Sequence, residues 1–480
     1  METVIDNILY INDVEAYAID DVPTNIESVC VPLDSLDDYK ELNPNIDKLK
    51  GYNYKIIKVG RDTRIEDELT IIISTETNDP VMRVMYSLGL AANPNYMTLA
   101  EGKSVVASDL EGAFRDNNEV EYFNEFKYFT NVNEVPQYFA YNATNLKEVT
   151  LPDTVTKINR NAFSCQESKV SQLRKLEGVE NVERIETQAL NYCFNIERLN
   201  FSANLKYIGN YNFFGCAQRN YPITFAEYSY KSLGDLSGVE EIGFNCFRNF
   251  YSPYISSLKM PNLVKLSTNI AGTIGHHFYN CSVKEIIVNE NCNISIESFA
   301  QSRQMTQWGE PERLFYLEKL GSFNEVEYLP SATTTSQSDS FSVFLNDTSL
   351  KEVGDFKKLK SACYFMFANC WNLEKMGDFP ELEEICSYAF ENTVRIPYLY
   401  FPKVNSVKNA AFIVAAINSE GVVFNGQEVI DRTVEFGLPY EQINFESLAF
   451  KGCKKVTIIC NGVELTEEQY TQLGAVKPEP

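Results

Sequence analysis

Residues 145–165 read NLKEVTLPDTVTKINRNAFSC, with apolar side chains at Leu146, Val149, Leu151, Val155, Ile158, Ala162 and Phe163. Val149 and Leu151 are two apart, so on a short strand they share a face. Leu146 enters that face from the preceding turn. Pro152 removes a backbone donor where the strand must stop, and Asp153 and Thr154 are turn formers. Val155 and Ile158 begin a second short apolar segment. Ala162 and Phe163 close the coil with a small residue beside a large one. One such coil leaves both its sides open, so it has to stack on copies of itself.

Copies recur along the chain. Aligning on the Phe of the A-F-x-x-C element gives Phe114, Phe139, Phe163, Leu190, Phe213, Phe247, Phe278, Phe299, Phe344, Phe367, Phe390, Phe412 and Phe450. Most intervals fall in the range of about 20–29 residues found in leucine-rich repeats. Cysteine follows three residues later at Cys193, Cys216, Cys281, Cys370 and Cys453, and alanine precedes at Ala113, Ala162, Ala189, Ala389, Ala411 and Ala449. The strand triplet returns as Ile196/Leu199/Phe201 and Val283/Ile286/Val288.

The combined form, L-x-x-[IV]-x-[LI]-P-x-x-[VL]-x-x-I-x-x-x-A-F-x-x-C, resembles the BspA-type leucine-rich repeat over residues 106–460. The resemblance implies a repeat solenoid of mixed β/α leucine-rich-repeat type with a small N-terminal α+β cap. It also implies a non-catalytic protein, since members are bacterial surface adhesins, secreted proteins and some phage-encoded proteins. Residues 86–130 are similar to a lead-in that often includes an EF-hand-like segment. Here Asn93 and Asn95 fit the first two ligand positions, but Met97 offers no oxygen at the fifth and Thr98 replaces the glycine. That loop reads as degenerate, and no calcium or other cofactor is expected.

Hydrophobic residues make up 44% of the 480-residue chain, enough for a large core, and the formal charge is −24. That balance argues against nucleic acid and against anionic lipid as partners, because both need clustered Lys and Arg. The 31 Phe are absorbed by the repeat; the 28 Tyr exceed what it needs, so some are expected outside, in contact with a protein partner or surface glycan. Five of the twelve cysteines sit at the repeat position, where a small buried residue fits, and the cysteines are expected to be mostly free thiols. Stacked Cys193 and Cys216 come near disulfide range, but their side chains run parallel. The opening METVIDNILYINDVEAYAIDD lacks a basic segment and a long apolar run, so it does not read as a signal peptide, and no membrane span is expected.

In chain order, residues 1–50 read as an extended arm with a short strand at 29–33. Residues 51–105 read as the cap, with strands at 52–59 and 69–75 paired as a hairpin. A helix follows over 81–90, capped by Asn78 or Asp79 with Pro80 at its first position. The solenoid runs over 106–460 with insertions near 217–277, 300–343 and 413–449. Residues 461–480 form a C-terminal cap and tail, with an Asn-Gly turn and capping-box spacing from Thr466 to Gln469. Insertions in solenoids map to loops on one face, often the binding face. Tyr221, Tyr228, Tyr230, Tyr251, Tyr254 and Trp308 are therefore the contact candidates; the competing reading is that they plug irregular coils.

Catalytic patterns are missing from the sequence. His276 and His277 are adjacent, so on a strand they point to opposite faces, and His277 occupies a packing position. Glu240, Glu241, Glu383 and Glu384 read as solvated strand-edge charges. The expectation is a binding or structural protein, first as a phage virion component with neighbouring subunits that contacts a host surface. The alternative is a bacterial cell-surface adhesin for host protein or glycan.

Overall fold

The computed structural model describes residues 2–5, 8–11, 28–32, 55–59, 70–166, 169, 171–214, 230–248, 250, 252, 254–267, 277–278, 281, 283–292, 317–326, 344, 349–414, 422–423 and 427–479. The chain winds as a solenoid. In the coil of residues 145–165, Glu148–Thr150 forms the first strand and Lys157–Ile158 the second. Leu146, Val149, Leu151, Val155 and Ile158 all point inward and are buried. Each strand pairs in parallel with its copy in the next coil: Val149 lies against Leu176, and Ile158 between Val135 and Ile185. Two sets of parallel ladders result. First strands order as Tyr122–Phe123, Glu148–Thr150, Lys175–Glu177, Arg198–Phe201 and Ser232–Gly234. Second strands run on one coil further, from Glu134–Val135 to Lys265–Leu266.

The A-F-x-x-C segment forms a tight arc on the remaining side, and the arc amides make a third ladder. Phe163 N–H donates to Ala189 O (2.9 Å), Phe367 to Ala389 (2.8 Å), Phe390 to Ala411 (2.8 Å) and Phe412 to Ala449 (2.9 Å). Leu190 is the variant: its amide bonds the Asn212 side-chain oxygen at 3.1 Å. Cysteine adds a second bond per coil, with Cys193, Cys370 and Cys453 thiols donating to the carbonyls of Phe163, Phe344 and Phe412 at 3.1, 3.0 and 3.2 Å. Left-handed residues flank the arcs, before the ladder residue in every described arc and after it in several. Two positions before the ladder residue stand Tyr138, Asn161, Gln188, Tyr211, Asn245, Phe365, Tyr388, Ala410 and Leu448; two after it stand Asp116, Asn142, Tyr192, Asn369 and Asn392.

That register corrects one alignment. Ala140, not Phe139, is the ladder residue of its coil, because Ala140 N–H donates to Ala162 O and Tyr138 carries the left-handed turn. Phe139 still packs edge-on against Phe114 and Phe163. From Phe344 onward the rings stack nearly parallel, through Phe367, Phe390, Phe412 and Phe450 at 4.6 to 5.6 Å.

Other expectations give way as well. Residues 1–50 are not one extended arm: Glu2–Ile5, Ile8–Ile11 and Ser28–Pro32 join Lys55–Val59 in a four-stranded sheet. The 52–59/69–75 hairpin is absent, since Lys55–Val59 pairs in parallel with Ser28–Pro32 while Ile71–Ser74 pairs antiparallel with Tyr96–Thr98. The helix starts six residues early, at Thr75, capped by Ser74 rather than by Asn78 or Asp79, and Asn78 interrupts it with a non-helical backbone just before Pro80. The degenerate calcium loop is the strand Tyr96–Thr98 followed by the helix Leu99–Ser104, whose Thr98 and Glu101 form a capping box. The insertions are narrower than the sequence suggests, because regular strands occupy Ser232–Gly234, Ser257–Met260, Lys319–Leu320 and Arg432–Phe436.

The C-terminal cap forms as expected. Asn461 and Gly462 take the two positive-φ turn positions, and Thr466 and Gln469 cap the helix Glu467–Gln472. Leu473 O and Gly474 O accept from Phe450 and Gly452, so the tail supplies the carbonyls a further coil would. Replacing Phe390 with alanine removes the ring between Phe367 and Phe412 and should cost about 3–5 kcal/mol, read as a lowered denaturation midpoint.

Candidate recognition site

The first-strand face carries charges in alternating sign. Glu318 sits between Lys284 (3.0 Å) and Lys351 (2.8 Å) on neighbouring coils, and Lys319 pairs with Glu352. Hydrogen bonds from Lys351 and Lys284 hold the Glu318 carboxyl below its ordinary pKa. The second-strand face repeats the device: Lys265 pairs with Glu241 and Lys408 with Glu384 and Glu446. Glu240 and Glu383 likewise face Lys206 and Lys360. These exposed pairs are each worth little, but they reward one stacking register.

The arc edge is different in kind. Side chains at the left-handed positions and just after the ladder residue project from it. Tyr138 and Tyr141 meet edge to face at 5.5 Å beneath Arg115. Tyr211 packs on Phe214 and Phe244 at 5.3 and 5.5 Å. A second group joins Tyr364, Phe365 and Tyr388.

Between Tyr141 and Phe214 the row following the ladder residue holds Ser164 and Asn191, both small. The edge dips there into a recess of about 350 Å³, lined also by Asn161, Gln188, Tyr192 and Tyr211. Ser164 Oγ–H donates to Asn161 Oδ1 at 3.2 Å. Asn191 is 5% exposed, its N–H donates to Gln188 O and its carbonyl accepts from Cys165 N–H. Its side-chain oxygen is buried without a hydrogen-bond partner.

The sequence candidates divide. Tyr230 is a core residue: it is 1% exposed, its ring lies against Phe213 and Phe250, and its hydroxyl donates to Cys193 O at 3.0 Å. Tyr254 stays on the surface, 55% exposed, ahead of the strand Ser257–Met260. Tyr221, Tyr228, Tyr251 and Trp308 lie outside the described residues, as does Cys216. Sequence reasoning missed Tyr141, Gln188, Asn191, Tyr192 and Tyr211. Their signal was positional, in the residues flanking the A-F element, and the aligned apolar positions drew attention away from them.

His277 is fully buried, with a ring nitrogen 3.1 Å from Ser267 O, as a packing residue. Among the described residues no group of three or more His, Cys, Asp or Glu could hold a metal, and no helix is long and apolar enough to cross a membrane.

Parallel ladders, an arc and few helices define a leucine-rich-repeat solenoid. Residues 111–227, 221–340 and 319–418 match the BspA type leucine rich repeat region, in six copies, and the chain belongs to that family. Similar solved structures include a leucine-rich cell surface protein of Faecalibacterium prausnitzii, at 13% identity over 73% of this chain and 84% of that one, TM-score 0.30. Others are the pneumococcal vaccine antigen PcpA, at 18% over 71% and 82%, TM-score 0.31, and a Bacteroides ovatus leucine-rich-repeat protein, at 13% over 77% and 86%, TM-score 0.32. No curated protein matches the chain.

Burial pushes the thiols up: Cys165 to about 11, and Cys292 and Cys460 to about 12. Unfolded thiols ionise near pH 8.5, so the unfolded state releases protons first as pH rises. Stability should hold to about pH 8.5 and fall from there to about pH 11–12, measured as melting temperature against pH.

Proposed function

We propose that the chain is a non-catalytic recognition protein acting at a bacterial surface, with the arc edge as its contact face. The observation that carries this is the division of the exterior. Charged side chains pair with one another across the strand faces, while the arc edge carries clusters of Tyr, Phe and neutral amides, with Arg115 and Asp116 beside one of them. Aromatic rings with polar tips are enriched where proteins meet partners, and paired charges are not. The reading is non-catalytic because the buried titratable groups are engaged in packing: His277 with Ser267 O, and Cys193, Cys370 and Cys453 with arc carbonyls.

Two settings fit this reading. In a virion the arc edge would meet the host surface; on a cell envelope it would meet a host protein or glycan. Sedimentation of the native source separates them: co-migration with fast particles assigns the virion, and recovery in the envelope or medium assigns the adhesin. In either setting, Tyr141→Ala with Tyr364→Ala should weaken binding of the purified chain to target cells at least about 10-fold, or about 1.4 kcal/mol, without a shift in melting temperature. Binding unchanged by both substitutions would remove the arc edge from consideration.

A further inference from the structure

We infer that the outward face of the strands Tyr398–Phe401, Arg432–Phe436 and Val456–Cys460 docks an arginine side chain of a partner protein on Glu435. The three strands pair in parallel. Tyr398, Thr433 and Thr457 stand in one row, and Tyr400, Glu435 and Ile459 in the next. Leu399, Val434 and Ile458 between the rows are buried, so both rows point outward. Tyr398 is 51% exposed and Tyr400 44%. Glu435 is half-buried, with Tyr400 on the strand to one side of it and Ile459 on the strand to the other.

Elsewhere in the described first strands each carboxylate has a cation. Glu148, Glu177, Glu285 and Glu352 pair with Arg174, Lys175, Lys259 and Lys319. Among the described residues Glu435 has no such partner; it accepts the Tyr398 hydroxyl at 2.6 Å. That hydrogen bond pushes Tyr398 up to about 12, so the hydroxyl keeps its proton and brings no charge to the carboxylate. The surrounding chain brings none either. From Asn409 to Phe450, the insertion included, there are six acidic residues and one basic one, Arg432. Arg432 is buried and donates to Thr393 O.

Shape and charge together choose the occupant. The face is a flat sheet, whereas small molecules bind in concavities, so the group that sits here is carried by a second protein. A carboxylate beside an exposed ring calls for a cation. A guanidinium lays its plane on the ring while its N–H fork meets the carboxylate; an ammonium is a point charge that holds its water. A neutral sugar stacks on rings but supplies no counter-charge. A second copy of the chain is opposed by the formal charge of −24 on each. The surface lies on the strand side of the solenoid, away from the arc edge, and the inference does not rest on the recognition reading above.

The test is a saturation-transfer NMR titration of the full chain with three acetylated, amidated peptides, Gly-Ser-Arg-Ser-Gly and its counterparts with Lys or Gln at the centre. The Arg peptide should bind at least about 5-fold more tightly than the Lys peptide, and the Gln peptide should not bind. Glu435→Gln keeps an acceptor for Tyr398 and removes the charge. It should weaken the Arg peptide at least about 5-fold without a shift in melting temperature. Tyr400→Ala, the second variant, should weaken it as well. Glu441→Gln, on the same acidic stretch, should leave it unchanged.

An Arg peptide that does not bind overturns the inference. So does equal weakening by Glu435→Gln and Glu441→Gln, which would report only the general attraction of an acidic chain for cations. Arg and Lys peptides binding alike would remove the guanidinium from the assignment. Cellohexaose that binds in their place and is lost in Tyr400→Ala would make the face a sugar platform. A dimer in sedimentation velocity that Glu435→Gln dissolves would assign the face to a second copy. Either result overturns the inference. Cell binding lost in Tyr141→Ala with Tyr364→Ala has no bearing on it, so the two readings fail separately.

Discussion

The structure depends on the hydrogen bond from the arc amide of one coil to the carbonyl before the equivalent residue in the next, as from Phe390 to Ala411. The arc reaches that geometry by placing the residue two before the ladder residue, and in several coils the one two after it, in the left-handed region. Where these are Tyr388 or Leu448 rather than glycine, the backbone carries a cost of roughly 1–2 kcal/mol per residue. A lone coil has nothing to offset that cost. A stacked coil has the amide bond, the cysteine bond where present, and a buried ring against its neighbours. Stability therefore lies in the interfaces between coils, and both ends must be closed. The N-terminal end packs Ile73, Met85 and Met97 into the same core as Phe114 and Phe123, and the C-terminal tail completes the arc ladder with Leu473 and Gly474.

This constraint leaves three exteriors with different uses. The strand faces are flat, with a side chain every second residue pointing out, so like charges in adjacent coils would stand opposite each other. Alternating Lys and Glu at 284, 318 and 351 turns that liability into a register device. The arc's outward positions are not bound to a β alternation. It can carry Tyr, Asn and Gln without disturbing either ladder. The aromatic rings and amides proposed for recognition accordingly sit where the backbone is most constrained.

The inward pattern was legible in the sequence because one buried residue type recurs at each core position. Val149, Ile158 and Phe163 could be read directly, and so could the Asn461-Gly462 turn and the Thr466 cap. The insertions were overdrawn because second strands such as Glu241–Ile242 and Lys265–Leu266 are only two residues long, with one inward apolar residue apiece. So little pattern cannot be told from loop. In the sequence Phe139 masks the ladder residue Ala140, because an aromatic stands beside a small residue and matches the repeat better. The left-handed positions were only partly legible: Asn161, Asn245, Asn369 and Gly452 carry residues suited to positive φ, but Tyr138, Gln188, Phe365, Tyr388, Ala410 and Leu448 carry none of that signature. The recess depends on size differences between equivalent residues of successive coils, and those become visible only once the register is fixed.

The arc is a hydrogen-bonded element rather than a loop. Native-state hydrogen exchange resolved to single amides tests it most directly. The amides of Phe163, Phe390, Phe412 and Phe450 should exchange as slowly as the hydrogen-bonded amides at and beside the first strands, such as Leu151 and Leu399. Exchange at those positions several orders of magnitude faster than at the strands, as for unsupported surface loops, would contradict it.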